Sequence, residues 1–489
     1  MLAIFILSTP LLKALEPDYL DFNYQHNVSV TSWQETIQIV EPACRSEVQG
    51  VTQVKFIAPG MYIAKAMCWQ QPTDENPDPA GHDALLTSGN ILLNEDGEGS
   101  FSFDADTLPS GPINVRIFAE SESRKKDIFE LQLYNKGGVL WAGVPDTVPA
   151  AAADNGLILA FIDDFDGPMS ISDHGIGTRY SATPLRGNFS GWPFIRPSHA
   201  DGSPFDQFDT FLKISARKKS PELAKGTTGF IGAVNAFREG AWIAPPCYLE
   251  CRLTAQSAPG TWPAFWTIDY GAEGPPGDEL DIVEAYGGVG PGNPNHIGYT
   301  VSTHFHGQEI PRVYKQIPMT TMGNRSYWST TFHTYGVLVT EEETVYYLDD
   351  MEVFRHETRE YSKTRSLYFM INYAIGGTSG WPINLERYGN ASDMYVDYVR
   401  VYNKSGETTN TSTTSISATT EAKDKVTSLK DKIQVEAAAS SSLVVYNLNG
   451  SIFLQQDIPA GQTTIPLPAG FYIVKLNGSS HKVIIGNVF

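Results

Sequence analysis

Cysteine is scarce, with four in 489 residues. A disulfide framework is therefore excluded as the basis of the fold. Cys44 and Cys68 are left as a pair that an oxidising compartment would bridge. Cys247 and Cys251 read as neighbours on one strand, about 13 Å apart at strand rise. That is beyond the reach of a disulfide, so both read as small buried hydrophobes. Positive charge is also short: 35 Lys and Arg stand against 55 Asp and Glu, a net charge of -20. Such a surface repels phosphate backbones, which excludes nucleic acid as a natural partner. Long apolar runs are missing as well. The run MLAIFILSTPLLKA at residues 1–14 is too short to span a bilayer. It reads as a partial signal peptide lacking a basic leader, and it carries an expectation of a secreted or cell-surface protein. Helix formers in periodic runs are equally rare.

Short Val, Ile, Tyr and Phe runs between Gly and Pro residues fill the space left by helices. Hydrophobic residues reach 41% and aromatics 11%, enough for substantial cores. The expected fold class is all-β. Residues 15–150 read as an N-terminal β-sandwich, with runs such as INVRIFAE and IFELQLY. It ends in the Pro/Ala-rich stretch VPDTVPAAAADNG, which reads as a linker. Residues 151–403 form the longest β-rich block. Residues 404–435 are polar and rich in Ser and Thr, the composition of a flexible linker. Residues 436–489 regain β patterning in five short runs and read as a small C-terminal β module.

Chemistry concentrates in GDELDIVEAYGG, residues 277–288. Acidic residues are depleted in strands, yet Glu279, Asp281 and Glu284 interrupt a run that is otherwise strand-like. In a regular strand Glu279 and Asp281 share a face and Glu284 takes the other. A one-residue bulge near Ile282 and Val283 would return Glu284 to the first face. Three carboxylates in a row resist joint ionisation and add nothing to folding, so the row points to function. A calcium loop is the bland alternative, but it calls for a Gly-rich turn and more oxygen ligands. Retaining glycosidases use two carboxyls about 5–5.5 Å apart, one as nucleophile and one as proton donor. Backbone positions 279 and 284 would be roughly 13 Å apart, a gap that inward-leaning Glu side chains largely close.

The run ELDIVE resembles the E-x-D-x-x-E signature of glycoside hydrolase family 16 in its bulged, laminarinase-like form. Six further segments resemble the family's strands in order: FIDDFDG (161–167), LECRL (249–253), GTWPAFWTID (260–269), FHTYGVLVTEEETVYYLDD (332–350), FMINYAIGG (369–377) and MYVDYVRVY (394–402). The resemblance implies a concanavalin-like β-jelly roll with a substrate cleft, flanked here by small β-sandwich domains. It implies Glu279 as nucleophile, Glu284 as acid/base and Asp281 as their partner. Trp262 and Trp266 match cleft tryptophans, whose indole faces would stack on sugar rings. His304 and His306 alternate out of one strand, and they are candidate substrate-binding residues of which one is expected to face the cleft; without an evident third ligand they do not read as a zinc site. No cofactor is required. Family members with a structural calcium make Asp397 a candidate ligand. VVYNLNG and GFYIVKLNG near the C-terminus resemble the sorting domain of a type IX secretion pathway, so secretion machinery is an expected partner of that segment. A monomer is expected.

The implied activity is endo-hydrolysis of a β-1,3- or β-1,3-1,4-glucan. Sulfated or neutral galactans are the alternative within the family. A non-catalytic glucan-binding protein on the same fold is the alternative outside it, and it would leave the glutamate pair unexplained. Sulfated substrates call for Arg or Lys in the cleft. Residues 260–306 contain neither, which favours neutral glucan. Arg186, Arg196, Arg312, Lys315 and Arg325 lie in flanking loops that would have to supply such contacts.

Overall fold

The computed structural model describes residues 34–69, 83–138, 144–185, 187–269, 277–288, 298–319, 327–411 and, with short interruptions, 425–485. The expected signal segment, residues 1–14, lies outside the described residues, as do Arg186 and Arg325. The chain divides into two compact units, Met1–Thr414 and Ser415–Phe489.

Two eight-stranded sheets make the larger part of the first unit, a β-jelly roll. One sheet runs Phe205–Phe208, Phe211–Arg217, Ala391–Asn403, Cys247–Ala255, His333–Val339, Glu343–Leu348 and Met351–Glu357, with Ile158–Asp163 also paired to Ala391–Asn403. The other runs Ile171–Ser172, Tyr180–Ser181, Phe230–Gly232, Tyr368–Ile375, Thr261–Ile268, Asp278–Glu284, Gly298–Phe305 and Val313–Pro318. Strand alternation decides what each sheet buries. Phe265, Leu280, Ile282, Val283, Ile371 and Tyr373 of the second sheet share one core with Leu249, Cys251, Val337, Val396 and Val399 of the first. Trp262, Ala264, Trp266 and Asn372 take the opposite face of the second sheet and line a pocket there.

The N-terminal part of the same unit is a sandwich of two sheets. Gln38–Glu41, Val51–Ile57 and Glu98–Asp104 form one. Glu47–Val48, Lys126–Asn135, Gly111–Glu120, Ile63–Trp69 and Asp83–Leu85 form the other, with Ile91–Leu92 paired to Ile63–Trp69. A solvent-facing sheet buries every second residue. Gly111–Glu120 instead buries all ten, and Lys126–Asn135 buries all but the first. The second face is covered by the jelly roll. Phe129 stacks on Tyr388 at 4.8 Å between ring centroids, a contact worth about 1 kcal/mol beyond its area. Gln132 Nε2 donates to the Asp393 carbonyl at 3.0 Å, and Arg387 donates to both carboxylate oxygens of Asp127. The stretch read as a linker after residue 144 is also held down. Ala150–Ala153 forms a short helix, Ala152 packs with Tyr248 and Tyr402, and Arg400 Nη1 donates to the Pro145 carbonyl at 2.7 Å.

The expected bridge between Cys44 and Cys68 does not form. Cys68 lies in the sandwich core, whereas Cys44 faces Gln256 of the jelly roll. Burial pushes the Cys44 thiol up to about 11. Cys247 and Cys251 are fully buried, as small hydrophobes would be.

The stretch read as a Ser/Thr linker carries strand at both ends: Thr409–Thr411 pairs with Glu239–Trp242 in the first unit, and Lys425–Ser428 pairs with Lys432–Ala437 in the second. That second unit has seven strands among its described residues. Lys425–Ser428, Lys432–Ala437 and Gly461–Pro466 make one sheet; Ile452–Ile458, Ser441–Asn447, Gly470–Leu476 and Ser479–Ile485 make the other. Its own core includes Ile433, Val435, Leu443, Val445, Val474 and Ile485.

Asp127 is fully buried and also accepts from the Thr36 and Ile37 amides. Removing its cation strands a buried charge. Arg387→Ala is expected to lower unfolding stability by about 3 kcal/mol, read as a reduced urea midpoint in tryptophan fluorescence. An unchanged midpoint would show that the pair does not hold the sandwich to the jelly roll.

Candidate active site

The strand Asp278–Glu284 sits between Thr261–Ile268 and Gly298–Phe305. Its pairing register shifts midway. Val283 lies opposite Phe265 and Asp281 opposite Trp266, which leaves Ile282 as an extra residue. On the other side Asp281 pairs with Ser302 and Glu284 with Thr300, again one residue out of step. Leu280, Ile282 and Val283 therefore all enter the core, while Glu279, Asp281 and Glu284 all line the pocket on the opposite face.

Each carboxyl has a distinct setting. His306 Nε2 lies 3.2 Å from Glu279 Oε2. His304 Nε2 lies 3.4 Å from Asp281 Oδ2. The two imidazoles stack nearly parallel, 5.7 Å apart, so both histidines, and not one, stand beside the carboxylates. Glu284 Oε1 accepts from the Trp262 indole and from the Tyr286 hydroxyl, both at 3.2 Å. Trp262 and Tyr286 stack on each other at 5.6 Å. Trp266 donates through its indole to Asn372 Oδ1 at 2.9 Å, which fixes that ring in the pocket wall. Trp262 and Trp266 are 9% and 8% exposed, so each offers an edge or face to the pocket from a largely buried position. Phe189 and Thr378 complete the wall.

Burial raises the Asp281 carboxyl well above the usual carboxylate range, and the neighbouring Glu279 adds to the rise. Burial raises Glu284 to about 8, with the Asp281 carboxyl contributing next. Glu284 therefore retains a proton at neutral pH. Arg312, from a flanking loop, is close enough to pull the Asp281 value back down. Glu279, Asp281 and His304 also bring one donor atom each within 4.8 Å of one another, a set that could hold a cation. Asp397, the candidate calcium ligand, is buried and its Oδ2 holds the Arg252 guanidinium. That ion pair already supplies the positive charge a calcium would bring.

Tyr286 lies two residues beyond the signature, and its role is not visible from spacing. Its flanking Gly287 and Gly288 are the available signal, because Cβ atoms there would collide with Ala258 and Thr261 or strain a positive φ.

With the geometry in hand, comparison with known proteins adds a family. Residues 247–400 match the model of Glycosyl hydrolases family 16. The family 16 match contains the whole carboxylate strand, both tryptophans and both histidines. The chain is 31% identical over 260 residues to an endo-1,3-1,4-beta-glycanase, EglC, of Rhizobium meliloti, covering 50% of this chain and 52% of that one. It is 28% identical over 171 residues to a beta-glucanase of Rhodothermus marinus, covering 31% and 56%. The chain thus spans about half the length of these relatives. Among solved structures, the catalytic domain of an endo-1,3-beta-glucanase from Thermotoga petrophila aligns at 19% identity and a TM-score of 0.39, covering 50% of this chain and 97% of that one.

Titration of Glu284, followed by NMR of labelled glutamate, is expected near 8. The Tyr286 hydroxyl donates to the charged form and so holds the value down. Tyr286→Phe should therefore move the titration to higher pH. A downward move would contradict the assigned hydrogen bond.

Proposed function

We propose that this chain is a retaining endo-β-glucanase acting on β-1,3- or β-1,3-1,4-linked glucan. The observation that carries the reading is the carboxyl row. Two glutamates on one pocket face differ in environment, and one of them, Glu284, holds a proton at neutral pH. Environments that push paired carboxyls apart define an acid and a nucleophile. Glu279, with His306 at 3.2 Å, attacks the anomeric carbon. Glu284 passes its proton to the glycosidic oxygen as the bond to the leaving sugar breaks. The ionised Glu284 then takes a proton from water, which hydrolyses the ester at Glu279 and restores the acid. Asp281, between them, raises the Glu284 carboxyl and so helps it keep its proton. Trp262 and Trp266 stack on the sugar's apolar face.

The extra residue at Ile282 supports placing the chain with the bulged, laminarinase-like form of the family signature. Glucan-directed names among the relatives support glucan over galactan. One observation favours a sulfated galactan instead: the charge of Arg312 reaches the pocket through Asp281. We also infer a secreted or cell-surface enzyme, a monomer, needing no cofactor. The C-terminal unit would address it to secretion machinery; the described parts of the two motifs, VVYN and GFYIVKL, fall on the two central strands of its four-stranded sheet.

Hydrolysis of laminarin or mixed-linkage β-glucan, followed by NMR from the first turnovers, is expected to release the β-anomer first. Release of the inverted anomer would exclude the double-displacement mechanism. Higher specific activity on porphyran or carrageenan would overturn the substrate while leaving the glutamate roles intact.

Glu279→Gln should lose turnover by several orders of magnitude yet still bind oligosaccharide, because stacking surfaces survive. Glu284→Gln should lose roughly 10²–10⁴-fold on glucan and much less on an aryl glycoside whose leaving group needs no proton. Equal losses on both substrates would remove Glu284 from the acid's role.

A further inference from the structure

The two groups that donate to Glu284 hang from a single turn. Trp262 directly follows Thr261, and Tyr286 directly precedes Gly287. The Gly287 amide donates to the Thr261 carbonyl at 2.8 Å. The Gly288 amide donates to Ser257 Oγ at 3.0 Å. Thr261 closes the turn by donating its hydroxyl to the Ala258 carbonyl at 2.8 Å. The segment 256–261 is therefore the common anchor of both Glu284 partners.

That anchor is held from outside the jelly roll. Glu130, on the sandwich strand Lys126–Asn135, is fully buried. Its Oε2 accepts from the Ser257 amide at 3.2 Å and from Asn114 Nδ2 at 3.0 Å. Its Oε1 accepts from the Ser329 hydroxyl at 3.0 Å, and its carbonyl accepts from Gln256 Nε2 at 3.0 Å. Arg116 lies 3.8 Å away and balances the charge. A buried carboxylate is costly unless each oxygen is satisfied, and two donors to this one, the Ser257 amide and the Ser329 hydroxyl, come from the jelly roll. The turn cannot shift without leaving that charge short of partners.

We propose that Glu130 is a positioning residue for catalysis: through Ser257 and the 256–261 turn, the N-terminal sandwich sets Trp262 and Tyr286 against Glu284. The inference rests on the reading of Glu284 as the acid. It makes the sandwich part of the working enzyme and not an appended binding module. Loosening the turn moves both donors off Glu284 Oε1, which misaligns the acid and removes the hydrogen bonds that stabilise its charged form.

The test uses the full chain with Glu130→Gln and Ser257→Ala, beside wild type and Glu284→Gln. Hydrolysis by wild type and the leaving-group split of Glu284→Gln examine the underlying reading alone. With those in place, both variants are expected to lose roughly 10–100-fold in kcat on glucan, the scale of a 1 Å misplacement. KM should rise by less than kcat falls, since Trp262 shifts with the turn while Trp266, fixed by Asn372, keeps its stacking surface. The loss should shrink on an aryl glycoside, and the alkaline limb of kcat/KM should move to higher pH. Folded variants with wild-type kinetics, or with equal losses on both substrates and an unmoved limb, would overturn the proposal. Should Glu130→Gln fail to fold, Glu130→Asp decides, because it keeps a charge beside Arg116 while its shorter side chain draws back from the Ser257 amide, and wild-type kinetics there would overturn the proposal.

Discussion

Three carboxyls on one face of one strand repel one another, and the site is organised around holding them there. The repulsion cannot be relieved by turning Glu284 away, because the extra residue at Ile282 commits the backbone. It is relieved by protonation instead. Asp281 is 5% exposed, and burial first, then Glu279, raises its carboxyl. Glu284 is raised by burial and by Asp281. The same register shift that crowds the acids sends Leu280, Ile282 and Val283 into the core. Core packing therefore fixes the arrangement of the charges.

A second constraint comes from the sandwich sheet that is buried on both faces. Asn114, Arg116, Glu130 and Gln132 alternate with Ile113, Val115, Leu131 and Leu133. The apolar set fills the sandwich core. The polar set meets the jelly roll through hydrogen bonds to Ser329, Ser257 and Asp393. Such an interface gains less from area than an apolar one, but it is directional. Directional bonds specify one docked geometry, and this one ends at the turn beside the pocket.

The pattern of legibility follows from these two constraints. Glu279, Asp281 and Glu284 stand out in the sequence because acids in a strand oppose propensity, and only function repays them. Trp262 and Trp266 stand out through a specific aromatic run. The structure brings all five to one pocket. Glu130 is invisible by the same logic. Alternating polar residues along IFELQLY read as a solvated face, and periodicity cannot tell water from a docked domain. The cysteines mislead for a related reason. Cys44 and Cys68 are near in sequence, but the fold turns one to the jelly roll and the other to the sandwich core. The short helix at Ala150–Ala153 was hidden by a composition that reads as linker, because its order comes from Tyr248 and Tyr402 far along the chain.

Glu284 itself shows how environment, and not identity, assigns a catalytic part. Trp262 and Tyr286 both donate to Oε1. An oxygen accepting two hydrogen bonds is the poorer place for the acid's own proton. Those two donors favour the proton on Oε2, and the carboxyl cannot rotate to exchange its oxygens without breaking both bonds. The donors thus do more than tune acidity: they choose which oxygen carries the proton and fix its direction. Glu279 has an imidazole beside its Oε2. Two identical residues on one strand thus meet different surroundings, two donors on Glu284 Oε1 and an imidazole beside Glu279 Oε2, and the proposed division of roles rests on that difference.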